Sequence, residues 1–252
     1  MKIILLAVVA VCSAVAQSQT EPPPLLRLHR QLGTVSARPY ADTGIPINVV
    51  GMTAMTGQPE TWLIEMHDSF ASIENADKSL RPVAPFGAMA QAAQPSADIL
   101  AGSRSLIAVF RQGFSYRSEQ AVQTLRKARY CQVSIYQVHP GSESDFAELV
   151  KSRRIAFDSV NLDRPDISYY VVSGAASGTY VFLAPLASLK MLDDTPVKAY
   201  AENIAAETMK TGGLTREHLL FRVEPSLSWV SDDLESVRRS GVGRSVVGWE
   251  DG

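Results

Sequence analysis

Two short stretches of this 252-residue chain concentrate the side chains able to move a proton or hold an anion. In Leu25 to Arg30, Leu26 and Leu28 fall on one side of an extended chain, and Arg27 and His29 on the other. In Thr61 to His67, Trp62, Ile64 and Met66 make an apolar side, with Glu65 and His67 opposite. If the strands place these four polar residues in one space, His29 or His67 could serve as a general base, or ligate a metal or haem. Arg27 could then hold an anionic group. A later strand adds Ser134 and Tyr136, and the last one adds Arg222 with Glu224. The candidate catalytic residues are therefore His29, His67 and Tyr136, and the candidate ligand-binding residues are Arg27, Glu65 and Arg222.

A blander chemistry fits the same pattern and outweighs it. Carboxylate, guanidinium and imidazole groups satisfy one another when buried together, or face water where the first unit lacks its helix, and either arrangement offers nothing to a substrate. No His-x-x-x-His, Glu-x-x-His or His/Cys grouping supports a metal, and two His on different strands point to one only weakly. No cofactor is implied. Cys131 reads as a small buried residue, His139 as a surface residue before Pro140, and His218 as a half-exposed strand residue. Tyr116 and Trp229 read as packing anchors. Gly174 to Gly178 joins two strands without the helix start and Lys that a phosphate cradle needs, and there is no nucleophile elbow.

The elements that must position these residues follow from periodicity and turn chemistry. Strands are expected over Leu25 to Arg30, Ile47 to Thr53, Thr61 to His67 and Ser105 to Arg111, and again over Tyr130 to Val138, Ile167 to Ser173, Thr179 to Ala184 and His218 to Glu224. Thr56 to Glu60 supplies the Gly and Pro of a hairpin turn. A helix capped by Asp68 or Ser69 should set Phe70, Ile73 and Leu80 on one side, and Ser118 to Lys127 is a short helical connector. Another helix enters at Ser142, with Phe146, Leu149, Val150, Arg153 and Phe157 at helical spacing. A broken helix is expected within Phe86 to Leu100, and a helical region from Leu186 through Met209, stopping at Gly212-Gly213.

The chain also repeats itself. Thr61-Trp62-Leu63-Ile64 with Phe70-Ala71-Ser72-Ile73 returns as Thr179-Tyr180-Val181-Phe182 with Leu186-Ala187-Ser188-Leu189. Self-similarity at half the chain length implies two copies of one supersecondary unit. The second copy reads β-α-β-β-α-β, the ferredoxin-like order. The first has only residues 34–46, with Pro39, Gly44 and Pro46, where the second has 142–166, so it lacks a full first helix. A terminus, a loop or a second copy of the chain, making a possible homodimer, is expected over the face so exposed.

In its turn-Trp-strand-helix stretch Gly57 to Ile73, its echo Gly174 to Leu189 and the Val138 to Phe146 strand-Pro-Gly-helix passage, the chain resembles the dimeric α+β barrel superfamily. That superfamily includes antibiotic-biosynthesis monooxygenase-like and NIPSNAP-like domains. The resemblance covers most of Leu25 to Trp229. It implies an α+β fold in which two ferredoxin-like units close one barrel, here within a single chain. Members of the superfamily range from cofactor-independent oxygenases and haem degraders to proteins without an assigned activity, so fold likeness does not choose a reaction.

The ends and the composition bound the rest. Lys2, the apolar run Ile3 to Val11 and Ala14-Val15-Ala16 have the form of a secretory signal cleaved after Ala16, so periplasmic or extracellular export is expected. The apolar run is shorter than the ~20 residues a transmembrane helix needs, and no transmembrane segment is expected. Residues 17–24 form a Pro-rich leader, 25–117 the first unit, 118–129 a connector, 130–229 the second unit and 230–252 a tail. Removal of the signal takes Cys12 and leaves Cys131 alone, so stability must come from a core. A net charge of -2 without a basic cluster excludes nucleic acid. The expected function is binding of a small organic ligand or a partner protein. The alternative is a cofactor-independent monooxygenase or isomerase working in the barrel.

Overall fold

Each expected alternation of apolar residues becomes a strand in the computed structural model, which describes residues 21–33, 48–80, 104–193 and 214–228. The strands are β1 (Leu25–Leu32), β2 (Asn48–Ala54), β3 (Glu60–His67), β4 (Arg104–Phe110), β5 (Tyr130–Val138), β6 (Ile167–Ser173), β7 (Thr179–Leu186) and β8 (Leu214–Val223). Three α-helices accompany them among the described residues: α1 (Phe70–Leu80), α2 (Ser118–Leu125) and α3 (Glu143–Ser159). The signal, residues 34–46, Phe86 to Leu100, the region from 194 to Gly213, Trp229 and the 230–252 tail lie outside the described residues.

β8 starts four residues before the expected His218, at Leu214, and β7 runs on through Pro185 to Leu186. Pro185 is tolerated because the Leu186 carbonyl accepts from Arg129 N–H on the β5 side. The Pro185 nitrogen therefore faces β6, beyond the last β6 pair, Ile167 with Leu183.

The strands close an antiparallel barrel in the order β1-β3-β2-β8-β5-β7-β6-β4. Each half of the chain contributes four adjacent strands in the same permutation, fourth-first-third-second. The halves meet where Met52 to Ala54 of β2 pair with Phe221 to Val223 of β8, and where β4 pairs with β6 across a bulge between Ile107 and Ala108.

One apolar cluster draws on all eight strands and fills the interior. It includes Leu26 and Leu28 of β1, Met52 of β2, Trp62 and Ile64 of β3, Ala108 of β4, Val133 of β5, Tyr169 of β6, Leu183 of β7 and Phe221 of β8. Trp62 and Phe221 join the halves, with ring centres 4.7 Å apart. Full burial of side chains this large contributes ~1.5–3 kcal/mol each. Ala121 of α2 belongs to the same cluster and Val122 packs on it, so α2 closes the barrel end where β1 begins.

The outer faces carry the helices. On the second half, Phe146 and Val150 of α3 pack on Tyr136, Val138 and Phe182. Phe146, Val150, Arg153 and Phe157 are the buried residues of α3, at the expected spacing. On the first half, α1 buries Ile73 and Ala76. Phe70, expected on that buried side, is 58% exposed.

The sequence echo is not a structural register. Trp62 points into the barrel with Ile64, whereas its counterpart Tyr180 points outward with Phe182 onto α3. Side-chain direction alternates every residue along a strand, so matching Trp62 to Tyr180 by sequence is a one-residue slip that inverts the faces.

Candidate functional site

The four polar residues of β1 and β3 do meet. The apolar partners Leu26, Leu28, Trp62 and Ile64 claim the interior, so alternation turns Arg27, His29, Glu65 and His67 to the outer face, beneath α1. The one space expected for them is therefore not the barrel interior: the cluster is a layer between sheet and helix.

Pairing sets its geometry. Arg27 lies directly across from Glu65 in the β1–β3 ladder, and His29 directly across from Ser105 in the β1–β4 ladder. Glu65 is 0% exposed and stands at the centre. Its Oε2 accepts from Arg27 Nε at 2.5 Å and from His67 Nε2 at 3.0 Å, and its Oε1 from His29 Nε2 at 3.2 Å. The outward sides of these partners are also engaged. Arg27 Nη1 donates to Asp77 Oδ1 of α1 at 2.5 Å, His29 Nδ1 lies 2.7 Å from Ser105 Oγ, and His67 Nδ1 lies 3.2 Å from Ser72 Oγ of α1.

Ser72 also gives its hydroxyl hydrogen to the Ser69 carbonyl at 2.8 Å, and Ser69 Oγ caps α1 by accepting Ser72 N–H.

Electrostatics hold Glu65 ionised. Burial alone would raise its pKa, but hydrogen bonds from His29 and His67, then the charges of His29 and Arg27, hold the carboxyl well below its ordinary value. For Arg27, burial pulls down while Glu65 and then Asp77 pull up more strongly, and its pKa is raised. Among the described residues no group of three or more His, Cys, Asp or Glu is arranged to hold a metal ion. At Glu65 a guanidinium already occupies the carboxylate.

The remaining candidates lie elsewhere. Tyr136 is buried on the outer face of the second half, with Arg216 over its ring at 5.4 Å and Phe146 and Phe182 beside it. It does not converge with His29 or His67. Arg222 is exposed and donates to Glu224 Oε1 at 2.8 Å, which also accepts from Thr53 Oγ1 at 2.7 Å. Ser134 Oγ lies 2.9 Å from His218 Nδ1. His218 keeps an exposed edge. Burial of the rest of its ring, then the charges of Arg216, Arg164 and Arg153, push it down to about 4.

Cys131 is buried inside the barrel, where desolvation pushes its thiol up to about 12, and His139 is exposed. Tyr116 is buried and packs edge-on against Phe157. The partners on α1 went unnoticed in the sequence because Ser72 and Asp77, five residues apart, lie about 140° round a helix from each other and do not share a face by spacing.

No family model matches the chain. No curated protein matches it either. Among solved structures, a provisionally assigned monooxygenase from Fusobacterium nucleatum is similar in fold, with a TM-score of 0.50 and 10% identity, over 80% of this chain and 93% of that one. A provisionally assigned monooxygenase from Lactobacillus acidophilus follows at a TM-score of 0.46 and 11% identity, covering 83% and 97%. A mutant chlorite dismutase from Candidatus Nitrospira defluvii, with cyanide, has a TM-score of 0.46 and 8% identity, covering 85% and 95%. At such identities likeness speaks of fold alone. The chain has the dimeric α+β barrel fold, with its eight-stranded barrel closed in one chain.

Proposed function

We propose that this chain is an exported α+β barrel module that binds a small organic molecule or a partner protein, and that the Glu65 cluster fastens α1 to the barrel. The observation that carries this reading is saturation. Both Glu65 oxygens, both ring nitrogens of His29 and of His67, and two nitrogens of Arg27 engage other side chains of the chain itself. A base or an anion clamp needs a free face toward its substrate, and this cluster spends its polar atoms internally. Two fused ferredoxin-like units are supported by the same strand permutation in each half, and export by the signal-like residues 1–16.

The competing reading is a cofactor-independent oxygenase or isomerase, an activity class favoured only by the name of the Fusobacterium protein of like fold. Thermal unfolding of the protein from Gln17 onward separates the two, run against a panel of aromatic metabolites, small amides and haem, together with oxygen uptake. The binding reading expects His29→Ala and His67→Ala to lower the unfolding temperature and to leave any probe's stabilisation in place. Oxygen uptake that disappears in either variant, or a probe's stabilisation lost in either, overturns it.

A further inference from the structure

The two ends of the barrel differ. α2 seals one, but at the other, where β1 ends and β3 begins, the inward residues change from apolar to charged. Arg30 continues the inward row of Leu26 and Leu28, and Glu60 that of Trp62 and Ile64. Arg30 Nε donates to Glu60 Oε2, and the same guanidinium lies 5.7 Å from the centre of the Trp62 ring. Its Nη2 reaches toward Glu217 Oε1 at 3.5 Å, and Arg104 is its partner across the β1–β4 ladder. Among the described residues, these two arginines and two glutamates balance one another in charge.

Two polar atoms here have no partner. Glu60 is 3% exposed and Trp62 1%, yet Glu60 Oε1 and Trp62 Nε1 make no hydrogen bond. A buried group left so costs ~1–3 kcal/mol. The pair is complementary: one is an acceptor, the other a donor. They project from the same face of β3 two residues apart, against one guanidinium. Nearby Ala54, Leu106 and Ile135 are only partly buried, so apolar surface remains accessible beside them.

We propose that this end of the barrel binds a small neutral molecule carrying a carbonyl acceptor next to an N–H or O–H donor, as in a primary amide. The carbonyl accepts from Trp62 Nε1, and the donor bonds to Glu60 Oε1. The apolar remainder lies along Ala54, Leu106 and Ile135. Balanced charge disfavours an anion or a cation, and the donor–acceptor pair disfavours a pure hydrocarbon. This rests on the binding-module reading and gives that module its site.

The test uses the ¹⁵N-labelled protein titrated with benzamide, with acetophenone as an acceptor-only probe and ethylbenzene as an apolar one. The readout is the Trp62 indole N–H resonance, assigned by its loss in Trp62→Phe. Benzamide should shift it saturably, acetophenone more weakly and ethylbenzene not at all. Glu60→Gln, shown to be folded by its unfolding transition, should weaken benzamide about tenfold, because the bond to a carboxylate is roughly twice as strong as a neutral one. Acetophenone binding should not change in that variant. An indole resonance that ignores benzamide, or equal benzamide affinity in the Glu60→Gln variant, overturns the site. If the unfolding panel still finds a stabilising compound, the module reading stands without this site. If it finds none, both fall.

Discussion

Arg27 and Glu65 face each other across the β1–β3 ladder and share a 2.5 Å hydrogen bond, with the carboxylate wholly removed from water. A charge pair in that position is stable only when every remaining lone pair and proton has a partner. His29 and His67 complete Glu65, and Asp77 completes Arg27 from α1.

Glu65→Gln should therefore destabilise the protein strongly. It strands the Arg27 guanidinium in a buried site and turns an acceptor of three hydrogen bonds into a mixed donor and acceptor. The expected loss is about 3–5 kcal/mol, read by urea unfolding. A loss under ~1 kcal/mol would mean that water reaches the cluster.

Acid should act through two groups, His218 first and Glu65 below it, whose windows overlap only narrowly. The folded pKa of Glu65 lies well below its ordinary 4.5, so protons favour the unfolded chain. Its contribution is complete above 4.5 and fades as the pH falls toward the folded value. His218 is pushed from 6.5 down to about 4, so its neutral form belongs to the fold, and stability is lost as the pH falls from 6.5 to about 4. Unfolding temperature against pH should thus flatten between 6.5 and 4 in His218→Gln, and below 4.5 in Glu65→Gln. A curve unchanged in either variant would contradict the assignment of that window.

Gly51→Ala should loosen the segment after β8. The Gly51 carbonyl accepts from Glu224 N–H at 2.9 Å and its N–H donates to Ser228 Oγ at 3.1 Å, drawing the turn Pro225–Leu227 onto β2. A Cβ at Gly51 would stand 2.3 Å from Leu227 Cβ and 2.5 Å from its carbonyl oxygen. A loss of about 1–3 kcal/mol is expected, with new proteolytic cleavage near Pro225. Wild-type stability and cleavage in this variant would show that the contact yields freely.

Much of this was legible in the residues. Alternation alone separated Arg27 and His29 from Leu26 and Leu28, and Glu65 and His67 from Trp62 and Ile64, and it placed strands close to their true limits. It could not say which face is inside, because an α+β barrel buries both: one against the opposite strands, the other under helices. Charged residues under α1 survive there because they pair. The mispairing of Trp62 with Tyr180 has a related cause, since two aromatics beside a threonine look alike in sequence and only the ladders fix their direction. The Arg30–Glu60–Trp62 grouping was missed because Arg30 and Glu60 lie at opposite ends of strands and meet only through antiparallel pairing.

Cys131 should be silent to thiol reagents in the folded protein. Desolvation in the barrel pushes its thiol up to about 12, and the thiolate is the reactive form. In the protein from Gln17 onward, reaction with Ellman's reagent should follow the unfolding transition. Prompt reaction in native buffer would mean that the barrel opens locally around β5.

Amide hydrogen exchange across α1 in His67→Ala and Asp77→Ala tests most directly whether the Glu65 cluster fastens the helix. Each variant removes one tie between sheet and helix, and hydrogen bonds to charged groups contribute about 1.5–3 kcal/mol. The amides of Phe70–Leu80 should therefore exchange roughly tenfold faster or more, while those of β5 and β7 keep their rates and probe binding persists. Unchanged exchange in α1, with probe binding abolished, would contradict the account and make the cluster a binding site.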